Sequence, residues 1–129
     1  IVKDDTAITT DDIAHSNLIL WGDEVSNAIY AKIAGALPIK SLLSVTQTTA
    51  QKISLDQQIL VMIYPNPLNP EKYVVLNTGF TFREDNASNA RQTPKLPDWA
   101  LVDIASPATP RSIGRVLAAG FFDEYWSVK

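Results

Sequence analysis

The sequence predicts an α/β domain, Rossmann-like or flavodoxin-like, with a mixed sheet of about five or six strands and helices packed on it. Three observations carry that expectation. LILW at residues 18–21 is continuously apolar, the pattern of a strand covered on both faces, and it stops at Gly22 before a polar turn and a helical period. ILVMIY at 59–64 repeats the buried-strand signal. YVVL at 73–76 repeats it again and closes on the small polar residues Asn77, Thr78 and Gly79.

Residues 1–16, IVKDDTAITTDDIAHS, read as an acidic linker with one short helical turn, and residues 17–129 as a single α/β domain. Thr10 followed by Asp11 and Asp12 suits a helix start, because carboxylates favour the positive end of the helix dipole. The Asp cluster lacks the glycine and the bidentate Glu of an EF-hand loop, so a capping or solvated role is expected and no metal site.

Beyond Gly22, Ile29, Ile33, Ala36 and Leu37 share one helical face, Lys32 points away, and Pro38 stops the helix. Asp23, Ser26 and Asn27 each fit its N-cap. Residues 39–58 suggest weak edge strands around Leu43 and Val45 and around Ile53 and Leu55. YPNPLNP at 64–70 reads as a rigid loop, since proline continues neither a ladder nor a helix.

Thr81 and Glu84 stand at capping-box spacing, which predicts a helix from Phe82 to Asn89 or Arg91. Pro94 and Pro97 bracket a turn before a strand at 99–104, and a Pro-rich loop at 106–110 precedes a last strand at 115–122. Tyr125 and Trp126 are placed to cover the end of the core.

Composition removes several kinds of chemistry. A net charge of −3, with 11 Lys and Arg scattered along the chain, argues against nucleic acid as a partner. No apolar run approaches the roughly 20 residues of a bilayer span, so no membrane is expected. Without cysteine there is no disulfide, thiol nucleophile or cysteine-ligated zinc, and His15 alone makes no multi-histidine site.

No cofactor is expected either. The first βα turn reads GDEVSN rather than G-x-G-x-x-G and holds no P-loop lysine, and Asp23 and Glu24 would repel a pyrophosphate. A serine hydrolase of the α/β type needs G-x-S-x-G and a late histidine, whereas His15 comes early and adjacent Ser16 does not face it. Asp23, Asp103, Asp123 and Glu124 are carboxylates for glycoside chemistry only if two of them lie about 5 to 10 Å apart. No catalytic residue is assigned.

Ligands of open α/β sheets sit beyond the carboxyl ends of the strands. Here those ends supply Asp23, Ser26 and Asn27 from the first strand and Asn77, Thr78 and Arg83 from the later one. That set is the candidate ligand-binding site. The competing expectation, which we favour, is that Asp23, Ser26 and Asn27 serve the orphan backbone donors at the helix start.

The phrases NLILWGDEVSN, IYPNPLNPEKYVVLNTGFTFRE, NARQTPKLPDWALVDI and AAGFFDE resemble the C-terminal region of prolyl-oligopeptidase-like or acetylxylan-esterase-like multidomain proteins of the α/β-hydrolase superfamily. The resemblance covers about residues 10–126. It implies a bacterial parent, exported or periplasmic, whose serine-hydrolase domain precedes this piece and is its partner; a start at Ile1 rather than Met fits a piece of a longer protein. No phrase matches a nucleophile elbow or triad position, so no catalytic residue carries over. The expected function is a noncatalytic accessory or interaction domain of that larger hydrolase-like protein. The alternative is a small-ligand or carbohydrate-binding module using the polar strand ends.

Overall fold

The computed structural model describes residues 1–42, 57–79, 96–106 and 114–129. Among them, five strands form a mixed open sheet: β1 (Leu18–Trp21), β2 (Gln58–Asn66), β3 (Asn69–Asn77), β4 (Trp99–Asp103) and β5 (Arg115–Gly120), in spatial order β1-β3-β2-β4-β5. Short helices accompany them, among them α1 (Thr10–His15) and α2 (Ala28–Ile33), and the architecture is broadly α/β. β1 runs parallel to β3, while the β3–β2, β2–β4 and β4–β5 pairs are antiparallel.

Strand side chains alternate between faces, and that alternation sorts the core. Leu18 and Leu20 of β1, Val74 and Leu76 of β3, Leu60 and Met62 of β2, and Trp99 of β4 join Ile29, Tyr30 and Ile33 of α2 in the main cluster, with Leu37 and Leu42 beyond. A smaller cluster of Ile59, Ala100 and Val102, flanked by Val61 and Leu96, forms from the alternate positions of β2 and β4.

The reading of residues 18–21 as buried on both faces is corrected here. Leu18 and Leu20 are buried, but Ile19 and Trp21 are 64% and 44% exposed. Among the described strands β1 is outermost, and an apolar run by itself does not say how many faces are covered. β4 shows the two-sided case, with Trp99, Ala100, Leu101 and Val102 all buried.

The proline-rich stretch expected as a loop is instead a β-hairpin. β2 continues through Asn66, β3 begins at Asn69, and only Pro67 and Leu68 turn the chain. The register shifts between Pro65 and Asn66, and such bulges are where a sheet tolerates proline. Two asparagines supply the turn bonds: Asn66 Oδ1 accepts from Leu68 N (3.0 Å) and Asn69 Oδ1 from Glu71 N (3.2 Å).

The expected linker at residues 1–16 packs onto this frame. Ile8 and Ile13 lie against the main core, and Asn69 Nδ2 donates to the Ile13 and Ala14 carbonyls (3.1 and 3.2 Å). The N-cap of α1 is Thr9, one residue earlier than read from the sequence, and it forms a capping box with Asp12. Lys3 Nζ approaches Asp12 at 2.7 Å.

The Lys3 ammonium, followed by the Thr9 hydroxyl and amide, holds the Asp12 carboxyl far below its ordinary 3.8. A depressed folded value means that this contribution to stability is present above 3.8 and is lost as pH falls through the folded value. Lys3→Ala is expected to move the Asp12 titration upward, towards 3.8, in a carboxyl-carbon NMR experiment. An unmoved midpoint would show that Thr9 alone sets it.

Helix α2 gives way at Ala34–Ala36 to a 3-10 turn, short of the expected end near Leu37, and a new helical turn opens where Leu42 N donates to Pro38 O (3.0 Å). Strand β5 likewise stops at Gly120, short of 122. Phe122 then bridges to Val128, with Asp123 Oδ1 accepting from Tyr125 N and Ser127 N (2.9 and 2.8 Å). Trp126, at φ 60°, lays its ring against Tyr64, Tyr73 and Phe122 with centroids 5.7 to 5.8 Å apart. Of the expected aromatic pair only Trp126 covers the core end; Tyr125 is 81% exposed. The edge strands expected around Leu43, Val45, Ile53 and Leu55, the helix from Phe82 and the loop at 107–110 lie outside the described residues.

Candidate functional site: the turn after strand β1

Strand β1 ends at Trp21, and the chain turns at Gly22 with φ 95°, a conformation L side chains rarely adopt. Gly22 N donates to Asn77 O (3.0 Å), extending the parallel pairing of β1 with β3 by one residue. This bond sets the turn beside the end of β3, at Asn77. Arg83 lies outside the described residues.

Gly22→Ala tests that geometry. A β-carbon at position 22 would collide with the Ser26 hydroxyl in addition to the backbone strain. The substitution is expected to cost about 1–2 kcal/mol in urea unfolding. A change under about 0.3 kcal/mol would mean that the turn readily takes another shape.

Asp23 folds back on its own turn. Its Oδ1 accepts from Val25 N (3.0 Å), Ser26 N (2.9 Å) and the Ser26 hydroxyl (2.8 Å), while Asp23 N donates to Ser26 Oγ (2.9 Å). The Ser26 hydroxyl first, and then the Ser26 and Val25 amides, hold the Asp23 carboxyl below its usual range. On α2 behind it, burial raises the Tyr30 hydroxyl, with Glu24 and Asp23 adding repulsion.

Asn27 is the N-cap among the three alternatives. Its Oδ1 accepts from Ile29 N (3.0 Å) and Tyr30 N (2.9 Å), and its Nδ2 donates to Trp21 O (3.1 Å). Along a strand each residue sends its amide and carbonyl to one side and successive residues alternate, so Leu20 and Gly22 face β3 while Trp21 faces outward. The buried Asn27 side chain therefore starts the helix and closes the outer edge of β1 together.

Sequence reasoning missed Asp5. Its carboxylate accepts from Ala28 N at 2.6 Å, across 23 residues of chain. With Ala28 bonded to Asp5, Ile29 and Tyr30 to the Asn27 side chain, and Ala31 N to Asn27 O, every amide of the first turn of α2 has a protein acceptor. No local pattern marks this role, because an acidic residue in a Thr-rich stretch looks the same whether solvated or docked.

Thr78 is also committed to structure. Its Oγ1 accepts from Leu60 N (2.8 Å) and donates to Leu60 O (3.2 Å), and its amide donates to the same carbonyl (3.1 Å), extending the β2–β3 pairing past Asn77. Asn77 is buried and stands in register with both Trp21 and Val61. Three other groups weighed from the sequence also have partners. Asp103 pairs with Arg115 (3.4 Å), Asp123 holds the last turn, and His15 Nδ1 lies 3.0 Å from Asp11 on exposed α1.

Among the described residues, no three His, Asp or Glu side chains are grouped to hold a metal, and no helix is long and apolar enough to cross a membrane. Fold and turn together define a mixed α/β domain in which the side chains of Asp23, Ser26, Asn27 and Thr78 bond to backbone. No protein-family model, no curated protein and no solved structure matches the chain.

Proposed function

We propose that this chain is a noncatalytic accessory or interaction domain of a larger hydrolase-like protein, peptidase- or esterase-related, and that it docks on the catalytic domain of that parent. The observation that carries the reading is the bonding of the βα turn, where Asp23, Ser26 and Asn27 are occupied by backbone groups and by one another. Apolar side chains stand exposed around the same turn: Ile19, Trp21 and Val25, the last at 90%. Exposed apolar groups beside a rigid polar turn suit protein contact better than catalysis.

The hydrolase context and an exported or periplasmic location rest on the resemblance of the four sequence phrases alone. Within the α/β class, a Rossmann-like or flavodoxin-like lineage is supported only by the parallel β1–β3 pair. The expected result is no ester or peptide turnover by the isolated chain, and binding to the rest of the parent that Ile19→Ser and Val25→Asp weaken about tenfold, or about 1.4 kcal/mol, in calorimetry. Turnover lost on Asp23→Ala, or no binding at all, defeats the proposal.

The same protein decides the alternative of a small-ligand or carbohydrate module at Asp23, Ser26, Asn27, Asn77, Thr78 and Arg83. A ligand at a hundred times its Kd adds about 2.7 kcal/mol of stability, which a thermal-shift screen of sugars, nucleotides and short peptides reads directly. A shift abolished by Arg83→Ala would favour that module over the interaction domain.

A further inference from the structure

We draw no further inference here: the strongest candidate, the outer edge of strand β1 with Ile19 and Trp21 exposed beside it, belongs to the interaction surface already proposed, and nothing in the structure shows what covers it.

Discussion

Asn27→Ala is expected to destabilise the domain by roughly 2–4 kcal/mol, a large share of the ~5–15 kcal/mol that holds a typical domain folded. Two losses add. Removing Oδ1 leaves the amides of Ile29 and Tyr30 without their acceptor, and losing an N-cap costs about 1–2 kcal/mol. Removing Nδ2 takes that donor from the Trp21 carbonyl at a part-buried site, a loss of about 1–2 kcal/mol.

Asn27→Asp separates the two halves. An aspartate keeps an acceptor for the helix amides and suits the helix dipole, yet it offers no donor to Trp21 O. Its cost is expected between wild type and the alanine variant, by urea unfolding followed at a helical and an aromatic wavelength. Equal costs for the two variants would place the whole effect in the edge bond; a cost below about 1 kcal/mol for alanine would remove Asn27 as the linchpin of the turn.

Leu76→Ala carries the other large effect, about 2–5 kcal/mol. Leu76 is fully buried on β3, between Leu20 of parallel β1 and Met62 of antiparallel β2, on the face covered by α2. The cavity left there is bounded by strands on both sides, which limits relaxation.

Ile19→Ala is the matched control, because Ile19 also sits on a strand but is 64% exposed. It should change stability by no more than about 0.5 kcal/mol. Similar costs at Ile19 and Leu76 would contradict one-sided burial of β1. A small cost at Ile19 joined to weaker partner binding would agree with the interaction role.

Much of the sheet was legible because apolar runs mark strands whatever they pair with. LILW, ILVMIY, YVVL and WALVD all became strands close to where they were read. Helix α2 was legible from the spacing of Ile29 and Ile33, although a 3-10 turn ended it early. The hairpin at Pro67 and Leu68 was not, because proline signals a break whereas a bulge at Pro65 and two asparagine side chains let the ladder continue through it.

The candidate site was half legible. Asp23, Ser26 and Asn27 are all of a type that caps a helix, so the polar turn could be foreseen, but their chemistry does not say which one does so. Asn27 takes the role because only its side chain also reaches the Trp21 carbonyl while buried against α2. Asp5 could not be foreseen, since its acceptor role exists only once residues 1–16 fold back on the sheet.

By itself, then, the sequence determined the α/β class, the positions of the strands along the chain and the polar character of the turn after Trp21, all of which follow from local periodicity and residue type. Tertiary structure alone decided the order β1-β3-β2-β4-β5, the exposure of Ile19 and Trp21 on β1, and the closing of α2 by Asn27 and Asp5. The physical reason is the same in each case. Pairing, burial and long-range hydrogen bonds depend on which segments meet, and local pattern carries no record of that meeting.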